Sequence, residues 1–122
     1  MRWDREHNCV NAEFKTFATS VEFREGTMKI IDAIRDKHAV SLVSDNRRLE
    51  GVSDMEQLWI RDSWSPLAQA GGLERIAVVL ARQGIGTFVS QEMIAQIGDK
   101  AFVTRTFESL PEALKWVAGH ER

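Results

Sequence analysis

A chain of 122 residues has the length of one domain, and at that size roughly two-thirds of the unfolded surface can be buried, enough for one core. Its 16 basic and 18 acidic side chains give a net charge of −2 with neither sign in a long block, which excludes the broad basic surface that nucleic acid or an anionic membrane requires. The lone cysteine, Cys9, excludes an intramolecular disulfide, no Cys/His spacing supports structural zinc, and a reducing, cytoplasmic setting is expected.

The amino terminus, Met1-Arg2-Trp3-Asp4-Arg5-Glu6-His7, is too polar for a signal peptide. The longest apolar run, Ile76 to Ala81, is far short of the ~20 residues of a bilayer span, so no membrane span is expected. Trp3 followed by the turn-like Arg5-Glu6-His7-Asn8 suggests a short first strand folding back as a hairpin. From Cys9 to Phe17, Val10, Ala12 and Phe14 alternate with Asn11, Glu13 and Lys15, the period of a half-buried strand.

Thr19 and Glu22 form a capping box that opens a helix, with Phe23, Ile30, Ile31 and Ile34 on its buried side, running out near His38. Val40 to Ser44 is a short apolar strand that stops at the polar tip Asp45-Asn46-Arg47-Arg48. Ser53 and Glu56 form a second capping box. Its helix carries two stripes: Met55, Leu58, Trp59 and Ser63, assigned to the sheet, and Ile60, Trp64 and Leu67, assigned to the outside. Pro66 should bend that helix or end its first segment, and Gly71-Gly72 stops it.

Glu74 to Ala81 is apolar on both faces, as a central parallel strand requires. After a loop from Arg82 to Gly86, Thr87 or Ser90 starts a helix through Met93, Ile94 and Ile97, ended by Gly98-Asp99. Phe102 to Phe107 alternates as a strand, and Ser109-Leu110-Pro111-Glu112 caps a last helix with Ala113, Leu114 and Val117 on its buried stripe. The order ββαβαβαβα predicts a single layered α/β domain over residues 1–122, with helices on the faces of a mixed sheet of about five strands.

In sheets wound this way, ligands and partners gather beyond the carboxyl ends of the strands, which makes Asp45, Asn46 and Arg47 the first candidate site. Asp45 lacks the acidic pair and the lysine that a phosphoacceptor needs, so a turn-capping role is expected of it. Arg47 and Arg48 could grip a phosphate or carboxylate bidentately, or simply pair with Asp45 or Glu50. Gly84-Ile85-Gly86-Thr87 lacks the Gly-Lys-Ser/Thr of a phosphate-binding loop and reads as a turn. Cys9 has no histidine at a telling spacing, and His7, His38 and His120 all fall in polar surroundings, so no nucleophile and base are paired and no catalytic residue, cofactor or metal is expected.

Several residues in their order carry a family resemblance: Phe14-Lys15-Thr16-Phe17, Ser20-Val21-Glu22-Phe23-Arg24-Glu25, the Asp45-Asn46-Arg47 tip, Trp59, Trp64-Ser65-Pro66, Gly72, and Ala113-Leu114-Lys115-Trp116-Val117. Together they resemble the SpoIIAA-like branch of the STAS superfamily, also described as STAS/CRAL-TRIO-like. The resemblance implies a small bacterial α/β domain without established catalysis, similar in topology to anti-sigma-factor antagonists and to CRAL-TRIO lipid carriers. In the antagonists a phosphorylatable serine follows an acid in the turn at a strand end; here Asn46 follows Asp45, and Ser44 precedes it.

The leading expectation is a non-enzymatic regulatory or protein-interaction domain. The alternative is a binding module for a small apolar or acidic ligand or a lipid. It would have an apolar pocket between the Trp59/Trp64 helix and the sheet, with Arg47 or Arg82 for an acidic head group, and a cavity of about 300 Å³ or more would favour it. An enzyme is the third reading. A homodimer through Ile60, Trp64 and Leu67 follows if that stripe is outward; the competing account is that Pro66 brings Trp64 back onto the core.

Overall fold

The alternation after Cys9 forms a strand, β2 (Cys9–Glu13), and β1 (Arg2–Asp4) folds back on it antiparallel with Trp3 opposite Val10. The computed structural model describes residues 1–15, 19–82, 84–97 and 101–119, with Ile85 and Gly86 in backbone only. Thr16 and Phe17, the Gly98-Asp99 stop and His120 lie outside the described residues. The hairpin turns through Asn8, whose φ of 54° is left-handed, and Asp4 Oδ1 accepts the His7 backbone N–H at 3.0 Å.

From β2 onward the strands are parallel. β3 (Ser41–Asp45), β4 (Arg75–Val79) and β5 (Val103–Phe107) complete one sheet in the order β1-β2-β3-β4-β5, with Val10 beside Leu42, Leu42 beside Ile76 and Ile76 beside Thr104. One face of that sheet, carrying Val10, Ala12, Leu42, Ile76 and Val78, packs under α1 (Ser20–Lys37), the helical segment 54–70 and α4 (Ile85–Ile97). The other, carrying Cys9, Val43, Ala77 and Val79, is covered by α5 (Leu110–Ala118) through Ala113 and Val117. Cover on both sides is why β3 is buried throughout and why β4 shows no alternation.

The capping signals hold to different degrees. At α1 the box is reciprocal: Thr19 Oγ1 accepts the Glu22 N–H at 3.1 Å and Glu22 Oε1 accepts the Thr19 N–H at 3.0 Å, while His38 ends the helix in the left-handed region. At α2 (Asp54–Trp59) only the Ser53 half forms, because the Glu56 carboxylate is used elsewhere. α4 begins at Ile85, ahead of the expected Thr87 or Ser90. The Thr87 hydroxyl donates to Ala81 O at 2.7 Å, and Ser90 is buried within the helix.

The main correction concerns residues 54–70. Between α2 and α3 (Ser65–Ala70) the chain makes a π-helical turn over Ile60–Trp64, in which the Ser65 N–H reaches back five residues to Ile60 O. Pro66 accounts for it: proline has no N–H to give the Asp62 carbonyl and its ring would press on that carbonyl, and a wider turn just before it relieves the clash. The buried positions Glu56, Gln57, Ile60, Trp64 and Ala68 keep ordinary helical spacing, so the segment turns the opposite face to the core from the one expected. Ile60 and Trp64, expected on the outside, are buried, and Leu67 packs against the same core; Trp64 is 4% exposed. Met55 and Leu58, expected against the sheet, are 70% and 44% exposed, and Trp59 is half-buried. That removes the exposed surface on which self-association through Ile60, Trp64 and Leu67 was expected.

Trp64 sits against Phe102, ring centroids 6.3 Å apart, and donates its indole N–H to the Thr27 carbonyl of α1 at 2.8 Å. Replacing it with alanine should cost about 3–5 kcal/mol of unfolding free energy. Trp64→Phe, which keeps an aromatic ring but loses the donor, should cost on the order of 1–2 kcal/mol. Urea unfolding of the two variants against wild type checks both values.

Candidate functional site

The organising strand ends in a closed electrostatic knot. Asp45 is buried, and its carboxylate accepts two bonds from the Arg47 guanidinium, Nε to Oδ1 at 2.9 Å and Nη2 to Oδ2 at 2.7 Å, plus the Arg47 backbone N–H at 3.2 Å. Burial pushes the Asp45 carboxyl up, but the Arg47 hydrogen bonds outweigh it and hold the group below the usual aspartate range. Asn46, beside it, is equally committed: its Oδ1 accepts the Ser44 hydroxyl at 2.7 Å, its Nδ2 donates to Ser90 Oγ at 3.1 Å, and its backbone N–H donates to Val79 O. Asp45, Asn46 and Arg47 follow one another at the strand end, and their donors and acceptors are turned on one another, on Ser44 and Ser90, and on the sheet.

The other candidates lie apart from that tip. Arg82 follows β4 and pairs at 3.6 Å with Glu108, beyond the end of β5, while Arg48 pairs at 3.8 Å with Glu13. Trp59 carries the Arg24 guanidinium over its ring, 5.2 Å from the centroid.

Between the sheet, α1, the π turn and α4 lies an apolar cavity of about 80 Å³, bounded by Leu42, Ile60, Trp64 and Ile94 with Ser44, Asn46 and Ser90 at its polar end. This is where the carrier reading places its pocket, but the volume falls well below the ~300 Å³ of small-molecule sites, and Trp59 does not line it.

A second depression is larger, about 360 Å³, and runs beside the first turns of α1 between Phe14, Phe23 and Gly26 on one side and Leu49, Val52 and Glu56 on the other. Glu56 is 3% exposed; Arg24 Nε donates to its Oε2 at 2.8 Å, and its Oε1 is buried with no hydrogen bond. The Arg24 hydrogen bond, opposed by burial and helped by the Ser20 hydroxyl, holds the Glu56 carboxyl below the usual glutamate range. From sequence Glu56 reads only as a capping residue, since no local signal links it to Arg24, 32 positions earlier. Gly26, in the same wall, is a mid-helix glycine with nothing within 4 Å of where a Cβ would sit, at a cost of about 0.5–1 kcal/mol relative to alanine.

The chemistry available elsewhere is limited. Burial, with a further push from Asp4, raises the Cys9 thiol to about 12, so it carries almost no thiolate at neutral pH. His7 spends its Nδ1 on Asp4 Oδ2 at 3.0 Å, and burial of Asp4 is outweighed by the His7 hydrogen bonds, so that carboxyl too is held low. Among the described residues no group of three or more His, Cys, Asp or Glu side chains comes together as a metal site, and no helix is long and apolar enough to cross a membrane.

A family model described as SpoIIAA-like matches residues 9–118. No curated protein and no solved structure matches the chain.

Arg47→Ala strips Asp45 of its bidentate partner. Because the guanidinium is partly solvated, the expected loss is about 1–2 kcal/mol at neutral pH. A carboxyl held low in the folded state contributes stability above its ordinary range and loses it as pH falls through the lowered value. The gap between wild type and Arg47→Ala should therefore be constant above about pH 5 and shrink below about pH 4, as read by urea unfolding across that range. Cys9 should resist iodoacetamide in the native protein and be alkylated fully once the chain is unfolded, which mass spectrometry reads directly.

Proposed function

Matched over residues 9–118, the chain belongs to the SpoIIAA-like family of STAS-type regulatory or interaction domains, and on that footing we propose that it is a non-enzymatic docking module whose outward α2 face binds a partner protein. The observation that carries this reading is the exposure of Met55 and Leu58. They are three positions apart on one helix and so share a face, with half-buried Trp59 next to Leu58. Each large apolar side chain left in water forgoes about 1.5–3 kcal/mol of burial, and methionine with tryptophan is the composition of adaptable recognition surfaces.

The tip at Asp45 supports a role without phosphorylation of a serine at that turn. Asn46 stands where the antagonists that this chain resembles place the serine, and the Ser44 hydroxyl is buried and donated to Asn46. An enzymatic role finds no activated nucleophile in Cys9, and a lipid carrier finds only about 80 Å³ beneath the sheet-facing helices, with Arg47 and Arg82 each paired to a carboxylate. A reducing, cytoplasmic setting suits a free, buried thiol.

A photoreactive amino acid placed at Leu58 in living cells tests the proposal, with Lys37 at the far end of α1 as control. A discrete protein adduct at Leu58 that is missing at Lys37 is the expected result, and an adduct of twice the chain mass would identify the partner as a second copy. Substituting Met55→Glu should abolish the adduct while changing stability by no more than about 0.5 kcal/mol, as is usual for an exposed site. Equal labelling at both positions, or none, overturns the reading.

A further inference from the structure

The groove beside α1 is independent of the α2 docking face and holds a polar group that the protein leaves unmatched. An ionised carboxylate has lone pairs for about four hydrogen bonds. Glu56 satisfies one oxygen with Arg24; the other, Oε1, is buried without a hydrogen bond, and among the described residues only the Ser20 hydroxyl in the groove wall acts on the carboxyl besides Arg24. Arg24 is poorly placed to serve both, since its Nε is on Oε2 and its guanidinium is held over Trp59. A buried acceptor of this kind is disfavoured until something supplies an N–H.

The rest of the groove suggests the shape of what supplies it. Its volume of about 360 Å³ falls within the ~300–1,000 Å³ of small-molecule sites. Phe14 and Phe23, ring centroids 6.1 Å apart, and Leu49 and Val52 make an apolar wall. Gly26 has an ordinary helical backbone and no neighbour that a side chain would strike, so neither backbone conformation nor packing requires glycine there. What its missing side chain does is keep the groove open. Gly51, across from it, is also clear of neighbours.

We propose that this groove binds a small organic ammonium compound, its apolar body against Phe14 and Phe23 and its N–H donor on Glu56 Oε1. A cation is favoured over a neutral donor because the carboxylate is charged and a charge-assisted bond is about twice as strong as a neutral one. The aromatic rings of Phe14 and Phe23 in the same groove add to the preference for a cation. The mouth carries both signs, Lys15 and Lys29 with Glu13 and Glu22, so rim charge does not repel such a ligand.

The test is a nitrogen–proton NMR titration of the full chain with phenethylamine, and with hydrocinnamate as a probe of similar shape and opposite charge. Phenethylamine should give saturable shifts at the amides of Phe23, Gly26 and Gly51 in the low-millimolar range or below, and hydrocinnamate should leave them unmoved. Glu56→Gln should weaken binding at least about tenfold. Gly26→Leu, which fills the groove while leaving the Arg24–Glu56 pair in place, should do the same, and it decides the matter if Glu56→Gln fails to fold. Absence of saturable shifts, equal binding of the carboxylate probe, or full affinity in folded Gly26→Leu overturns the proposal.

Discussion

One hydrogen bond, from the Trp64 indole N–H to the Thr27 carbonyl, locks the helical segment 54–70 against α1. Around it the Trp64 indole fills the space between α1, the sheet and Phe102, and Thr27 turns its own hydroxyl back onto Phe23 O and Arg24 O instead of competing for the contact. With Trp64 inward, the phase of α2 is settled. Met55 and Leu58 must look out, Glu56 must look toward α1, and Gln57 is left to meet Gln96 of α4 at 3.2 Å. The docking face and the groove are thus consequences of one buried indole.

Two buried carboxylates show how differently a polar group can be settled. Asp45 takes two guanidinium bonds and one backbone bond, and Asn46 beside it is held on three sides, so the end of β3 is rigid and chemically quiet. Saturation of this kind stabilises a fold and leaves little to offer a ligand. Glu56, with one oxygen paired and one bare, is the reverse. The tip of β3, where topology alone places the site, is closed, and the open groove lies next to it, bounded by the carboxyl end of β2, the loop after β3 and the first turns of α1.

Residue order and residue type determined the architecture. Alternation at Val10, Ala12 and Phe14, the unbroken apolar run at Ile76 to Leu80, and hydroxyls at Thr19, Ser53 and Ser109 are local signals, and local signals suffice for strands, helices and their starts, and through ββαβαβαβα for a mixed sheet. The same order, with its scattered motifs, sufficed for the family. The direction in which the 54–70 helix faces was not local. A straight α-helix puts Trp59 and Trp64 on different surfaces without saying which is inside, and Pro66 signalled only that the helix would not stay straight. Only tertiary packing decided, because turning Ile60 and Trp64 inward removes more apolar surface from water than turning Met55 and Leu58 inward would. The Arg24–Glu56 pair likewise joins positions far apart in the chain, and such a pairing exists only once the two helices that carry it have packed.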